Sequence, residues 1–181
     1  MITREHVKAL EETGEALNKA VEAGKKKFVG FELPGKTLGV IGLGAIGVEV
    51  ANVALALGMN VIGYDPQITV HRAWQLSSGV AQADSLDEVC RCADFLTLHV
   101  PLVEKTRNLI DADLLGQMRD DVVLLNFARQ GIVDEQALEP LLDSGRVRMY
   151  VTDFPGNRLK THERVTALPH LGASTSEAED N

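Results

Sequence analysis

Residues 42–47, Gly-Leu-Gly-Ala-Ile-Gly, constrain this chain more than any other stretch, because they stand where an apolar run ends and a helical pattern begins. Glycines weaken a helix start unless the backbone itself is needed there. Between a strand and a helix each glycine serves a purpose. Gly42 permits the tight turn, Gly44 lets an anion approach the main chain, and Gly47 lets helix and strand pack closely. The unbonded N–H groups and positive dipole end of the following helix then favour a phosphate. Taken alone, the trio is also compatible with a tight turn that holds nothing.

The surrounding texture sets the fold class. From Thr37 onward, short runs rich in Val, Ile and Leu are each followed by a helical pattern, the signature of βαβ units feeding a parallel sheet. The runs predict strands at Thr37–Ile41, Asn60–Tyr64, Val80–Ala81 (weakly), Phe95–His99, Val122–Asn126, Val147–Thr152 and Val165–Leu168. A helix is expected over 3–23, with Val7, Leu10, Leu17 and Val21 on one face and Gly24 as its stop. A second is expected over Ala45–Leu57, with Ile46, Val50, Val53 and Leu57 inward and Gly58 as its stop. Further helical segments are expected around Val70–Leu76, after Ser85 with Glu88 completing a capping box, at Ala112–Met118, and from Asp134 to Gly145. Thr175 to Asn181 reads as the first turns of another helix, with Ser174 and Glu177 as a capping box. The whole is an α/β, doubly wound parallel sheet, read as one domain over 1–181.

The second strand ends in Tyr64-Asp65, about 20 positions after the glycines, where a dinucleotide-binding unit places the carboxylate that accepts hydrogen bonds from the adenosine ribose. That acid would repel a 2′-phosphate, and no arginine follows it before Arg72, so NAD is favoured over NADP. Composition narrows the partners. With a net charge of −8 and both signs mixed along the chain, no basic stripe exists to neutralise a nucleic-acid backbone or an anionic membrane. Lys25-Lys26-Lys27 follows a helical stretch and complements the end of its dipole. Cys90 and Cys92, two apart on a helix, point away from each other and are too few for a structural zinc site; no metal is expected. No stretch approaches the roughly 18 apolar residues a membrane span needs, and no signal-peptide core is present, so a reduced, cytoplasmic compartment is expected.

Ligands in an open α/β sheet gather at the carboxyl ends of the strands, which brings forward His99-Val100-Pro101, Asn126-Phe127-Ala128-Arg129 and Asp153. His99 reads either as a buried strand-end histidine bonded to backbone or as a catalytic group. Arg129, following apolar residues and an asparagine, offers a fixed fork suited to a substrate carboxylate. His170, in Pro169-His170-Leu171-Gly172-Ala173-Ser174-Thr175, can exchange the proton that oxidation of an alcohol releases; its bland reading is a histidine at a helix start, bonded to backbone.

Together, Gly42–Gly47, Tyr64-Asp65-Pro66, His99-Val100-Pro101 with Thr106, Asn126–Arg129 and Pro169–Thr175 resemble the D-isomer-specific 2-hydroxyacid dehydrogenases over essentially the whole chain. The resemblance implies a Rossmann-like NAD-binding domain working on a small-molecule 2-hydroxy acid. The last motif is most similar to the branch that oxidises a phosphorylated hydroxy acid at the start of L-serine synthesis. Carried over by residue, the pattern puts Gly42, Gly44, Ala45, Ile46 and Gly47 at the pyrophosphate and Asp65 at the ribose. His99, Val100, Pro101, Thr106, Phe127, Ala128, Gly172 and Ala173 fall along the cofactor wall, and Asp153 falls near the nicotinamide amide. Arg129 holds the substrate carboxylate and His170 takes the hydroxyl proton. The resemblance further implies a second, substrate-binding domain largely absent from this chain, with helices 3–24 and 175–181 as crossovers to it, and dimerisation through this domain. Other D-2-hydroxy acids, and an NAD-sensing co-repressor module, remain alternatives. Two positions depart from the pattern: Gln130 replaces a glycine, and Asn157 stands where an acid usually partners the histidine, which leaves Asn157, Asp153 or Glu163 to orient the imidazole.

Overall fold

The structure is a computed structural model describing residues 2–172 and 174–179. Two compact units emerge, Met1–Glu32 and Leu33–Asn181. In the first, the continuous helix expected over 3–23 is two helices, α1 (Ile2–Lys8) and α2 (Gly14–Gly24), followed by a 3₁₀ turn over Lys25–Phe28. The break falls at Thr13-Gly14, where Thr13 is extended and Gly14 takes a φ of +59°, a conformation closed to most side chains. Nor does Gly24 stop the chain by a left-handed turn. Its φ is −66°, and what requires glycine there is His6, whose Nε2 would stand 2.7 Å from any Cβ.

The second unit holds seven strands: β1 (Thr37–Ile41), β2 (Asn60–Tyr64), β3 (Ala81–Gln82), β4 (Phe95–Leu98), β5 (Val122–Asn126), β6 (Val147–Thr152) and β7 (Val165–Ala167). They form one sheet in the order β3-β2-β1-β4-β5-β6-β7, with every pairing parallel. Chain order reverses between β1 and β4, which makes the crevice beyond their carboxyl ends the switch point where such sheets take ligands. The strands read as continuous apolar runs because helices cover both faces.

Helices α3 (Ala45–Ala56), α4 (Val70–Gln75), α5 (Leu86–Cys92), α6 (Ala112–Gln117) and α7 (Glu135–Asp143) link them, and α8 (Ser176–Glu179) follows β7. The larger core joins α5, α6 and α7 to the sheet through Val89, Cys90, Leu96, Leu98, Leu115, Leu124, Leu138 and Leu142. A smaller one packs α3 on β1 and β2 through Val40, Val48, Ala51, Ala54 and Val61. The inward face of α3 is therefore Gly47, Val48, Ala51 and Ala54; of the expected Ile46, Val50, Val53 and Leu57, Val50 packs against this core and the other three are exposed. Ile46 is 66% exposed and Val53 57%. This helix is apolar all round, so periodicity could not choose a face; close approach to the sheet selected the small residues. Ser85 caps α5 as expected, accepting from Glu88 N, but the Glu88 carboxylate reaches Asp84 N, one residue before the place a capping box requires. Before α8, Thr175 Oγ1 accepts from Ala178 N, so the cap is Thr175 and not Ser174; Asp180 and Asn181 lie outside the described residues.

Candidate active site

Six strands deliver the candidate residues to one edge: Gly42 after β1, Asp65 after β2, His99 after β4, Phe127–Arg129 after β5, Asp153 after β6 and His170 beyond β7. At the first of these the three glycines divide their labour as the sequence suggests. Gly42 has a φ of +92°, and a Cβ there would stand 2.7 Å from the His99 carbonyl oxygen. A Cβ at Gly47 would strike the Gly42 carbonyl oxygen, so helix and turn can meet only without it. At Gly44 a Cβ would meet nothing within 4 Å. Gly44 also caps α3 with no side chain bonded to the helix start, leaving N–H groups open to an anion. An empty space on the glycine and a free helix end beside it fit a pyrophosphate.

Asp65 braces this turn. Its Oδ2 accepts from Leu43 N and its Oδ1 from Gln67 N, both at 2.8 Å, and each oxygen keeps a lone pair for a sugar hydroxyl. A hollow of about 360 Å³ opens alongside, lined by Leu43, Asp65, Pro66, Ile68, Leu76 and Ala83, large enough for a nucleoside. Behind the turn, His99 Nε2 lies 3.0 Å from Thr97 Oγ1, and burial holds the imidazole pKa below its usual value. The partner is thus a side chain rather than backbone, and the ring is kept neutral. Val100 Cγ1 flanks Gly42, and Thr106 Oγ1 accepts from Val103 N and bonds the Pro101 carbonyl, closing the loop on itself.

The other end of the edge is made from side chains. Asn126, fully buried at the end of β5, donates from Nδ2 to the Arg129 carbonyl at 3.0 Å and accepts at Oδ1 from Ala128 N at 3.2 Å. Its Nδ2 also lies 3.3 Å from the hydroxyl of buried Tyr150, whose pKa burial raises. This network fixes the turn that presents Phe127, Ala128 and Arg129. Arg129 donates to the Ala128 carbonyl and has its Cζ 5.9 Å from the Phe154 ring centre. Phe154 in turn lies against His170, ring centres 4.6 Å apart.

His170 Nδ1 is 2.7 Å from Asp153 Oδ2. The Asp153 side chain is only 7% exposed, whereas His170 is 50% exposed. With Nδ1–H donated to the carboxylate, Nε2 is the nitrogen left to face solvent with a lone pair. Asp153 Oδ1 is buried with no partner. Of the three candidates to orient His170, Asp153 is the one that meets it, while Asn157 lies in a separate hollow with Asn108, Gln130, Glu135 and Arg158. The reason is the loop between: Gly156 N donates to Glu135, a Cβ at 156 would strike the Glu135 carboxylate, and this seats the loop against α7. Burial raises the Glu135 pKa. Gly172 is exposed, and Ala173 lies outside the described residues. Asn126 stands in a motif the sequence brings forward, but its part in bracing the Arg129 turn, and the places of Tyr150 and Phe154 beside it, were not read from the sequence; a lone amide ending an apolar strand is the one signal that pointed to that part.

Residues 2–172 match the family model described as D-isomer specific 2-hydroxyacid dehydrogenase, NAD binding domain. Among curated relatives, D-3-phosphoglycerate dehydrogenase of Methanocaldococcus jannaschii is 46% identical over 161 residues, 86% of this chain and 30% of the relative. The enzyme of the same name from Bacillus subtilis is 40% identical over 169 residues, 90% of this chain and 32% of the relative. The chain thus spans about a third of the length of the curated relatives it matches. Among solved structures, Aquifex aeolicus D-lactate dehydrogenase complexed with NAD and lactic acid superposes with a TM-score of 0.75 at 28% identity, covering 90% of this chain and 56% of that one. Motifs, topology and matched length agree, and the chain belongs to the D-isomer specific 2-hydroxyacid dehydrogenase family as an NAD-binding domain.

Proposed function

We propose that this chain is the cofactor half of an enzyme that oxidises 3-phospho-D-glycerate to 3-phosphohydroxypyruvate, the first step of L-serine synthesis. The observation that carries the reading is the His170–Asp153 pair set beside Arg129 at the edge that also holds the phosphate turn. NAD, held along Gly42–Gly47 and Asp65, supplies the acceptor for the hydride that leaves C2. Arg129, with no carboxylate partner among the described residues, fixes the substrate carboxylate through its planar fork. His170 Nε2 takes the proton of the C2 hydroxyl, and Asp153 holds the ring in the required tautomer and balances the charge the imidazole gains. Phe154 lies between guanidinium and imidazole, its ring against both, and holds their orientation.

The choice of substrate rests on the relatives named D-3-phosphoglycerate dehydrogenase at 40–46% identity. A full-length protein is expected to reduce NAD with 3-phosphoglycerate far faster than with D-lactate; preference for D-lactate would move the assignment to another branch. This chain by itself is expected to bind NAD in a calorimetric titration. We also assign self-association to the largely apolar depression lined by Leu33, Val50, Val53, Leu57 and Phe95, with Glu49 and Thr97 among its other lining residues; sedimentation of Val53→Asp as a monomer, against a wild-type dimer, tests it. Two unpaired thiols, Cys90 and Cys92, suit a reducing cytoplasm.

A further inference from the structure

Between the loop after β4 and the loop after β5 lies a depression of about 540 Å³ lined by Leu102, Arg107, Arg129, Gln130, Gly131 and Phe154. Arg129 is the candidate carboxylate clamp; Arg107 has so far had no role. We propose that Arg107 is a second anion contact of this site, reading the phosphate of a substrate whose carboxylate is held by Arg129.

The arginines themselves single out this place. From Arg72 onward, others in the described chain find side-chain oxygens: Arg72 and Arg91 on glutamines, Arg119, Arg146, Arg148 and Arg158 on carboxylates, and Arg164 only the neighbouring Glu163 at 3.9 Å, with its buried Nε in no hydrogen bond. Arg107 makes no side-chain hydrogen bond or ion pair among the described residues, and Arg129 bonds only the carbonyl of its own neighbour. Among the described residues from Arg72 onward, the two guanidinium groups with neither a carboxylate at ion-pair distance nor a hydrogen bond to another side chain therefore share one hollow, in a chain of net charge −8 where carboxylates are plentiful. Two such cations side by side repel each other unless an anion answers them, and a ligand with two anionic groups answers both.

The arrangement is also held in place. Arg107 follows a 3₁₀ turn over Glu104–Thr106, with its backbone N–H on the Val103 carbonyl. Asn108, at a left-handed φ of 49°, then donates its N–H to the Gly131 carbonyl at 2.8 Å, which ties the Arg107 loop to the Arg129 loop. The Arg107 Nη1 lies over Gly131, 3.7 Å from where a Cβ would stand. A guanidinium so placed offers several N–H donors to phosphate oxygens beside the fork that meets the carboxylate.

This inference rests on the reading of Arg129 given above, and the test separates the two. Calorimetry on the NAD-loaded full-length protein compares 3-phosphoglycerate with D-glycerate, which lacks only the phosphate. Wild type should bind the ester more tightly, and Arg107→Ala should remove about ten- to a hundredfold of that preference, with Arg107→Lys retaining part of it. Affinity for D-glycerate and for NAD should change less than about threefold. Equal loss for ester and D-glycerate, loss of NAD binding in Arg107→Ala, an unchanged preference, or no preference in wild type would each overturn the assignment. If wild type fails to bind NAD, the functional reading above falls, and 3-phosphoglycerate titrated without cofactor still decides Arg107: the same selective loss supports it, and an unchanged or absent preference for the ester removes it.

Discussion

At the Gly42–Gly47 turn the backbone makes the candidate site, and absent side chains define its space; at the β5–β7 end, Arg129, Asp153, Phe154 and His170 from separate strand ends are brought together. The first region is local, with its whole logic inside one strand–turn–helix unit. The second is assembled across the sheet, and one of its key contacts, His170 to Asp153, spans a loop whose course depends on Glu135 and Gly156. The difference teaches where each region is fragile. A local turn fails by a clash; an assembled constellation fails by losing any one member.

The sharpest way to break the assembled end is to remove its proton acceptor. His170→Ala in the full-length enzyme should lower kcat at least about a hundredfold while leaving NAD affinity unchanged, as loss of a general base does. Asp153→Asn should also lower kcat, by a smaller factor, since the amide can still face Nδ1 but carries no charge; steady-state kinetics on both variants checks the order.

The turn is broken differently. Gly47→Ala drives a methyl into the Gly42 carbonyl and should cost about 1–3 kcal/mol of stability together with NAD binding. Gly44→Ala has open space and an extended backbone, so stability should hold while NAD affinity falls. Denaturant midpoints paired with NAD titrations distinguish the two, and equal destabilisation would mean that the space at Gly44 is structural.

A smaller effect is expected at Asp65, which belongs to both descriptions. Asp65→Ala removes a charge-assisted acceptor and should weaken NAD binding about ten- to a hundredfold and narrow the gap between NAD and NADP. Because Leu43 N and Gln67 N lose their acceptor as well, the melting temperature should fall too. Unchanged NAD affinity would remove Asp65 from the ribose site.

The mildest expectation concerns pH. Burial depresses the His99 pKa in the folded state, so the unfolded chain binds that proton more readily. The stability linked to His99 is present above its unfolded pKa, about 6.5, and is lost as pH falls from there toward the folded value. His99→Asn should flatten the stability profile below neutrality; a profile that keeps its slope would assign it to other groups.

Much of this could be read from the residues. The strand runs β2, β5 and β6 end where the apolar stretches end, since buried parallel strands leave an unbroken apolar signal bounded by turn residues. The roles of Gly42, Gly44 and Gly47 were legible because each follows from the presence or absence of one atom. Arg129 and His170 were legible as chemistry because an unpaired cation and a titratable ring stand out at strand ends.

What the sequence determined by itself was therefore what is local: the βαβ alternation, the phosphate turn and the kinds of side chain available at the carboxyl edge. What only the tertiary structure decided was which partners meet. The inward face of α3 was set by how closely its small residues approach the sheet, not by a hydrophobic stripe. The break at Gly14 came from a backbone dihedral that a helical spacing does not encode. Asp153 rather than Asn157 faces His170, because Glu135 seats the intervening loop against α7, and a through-space hydrogen bond between separate elements leaves no periodic trace along the chain.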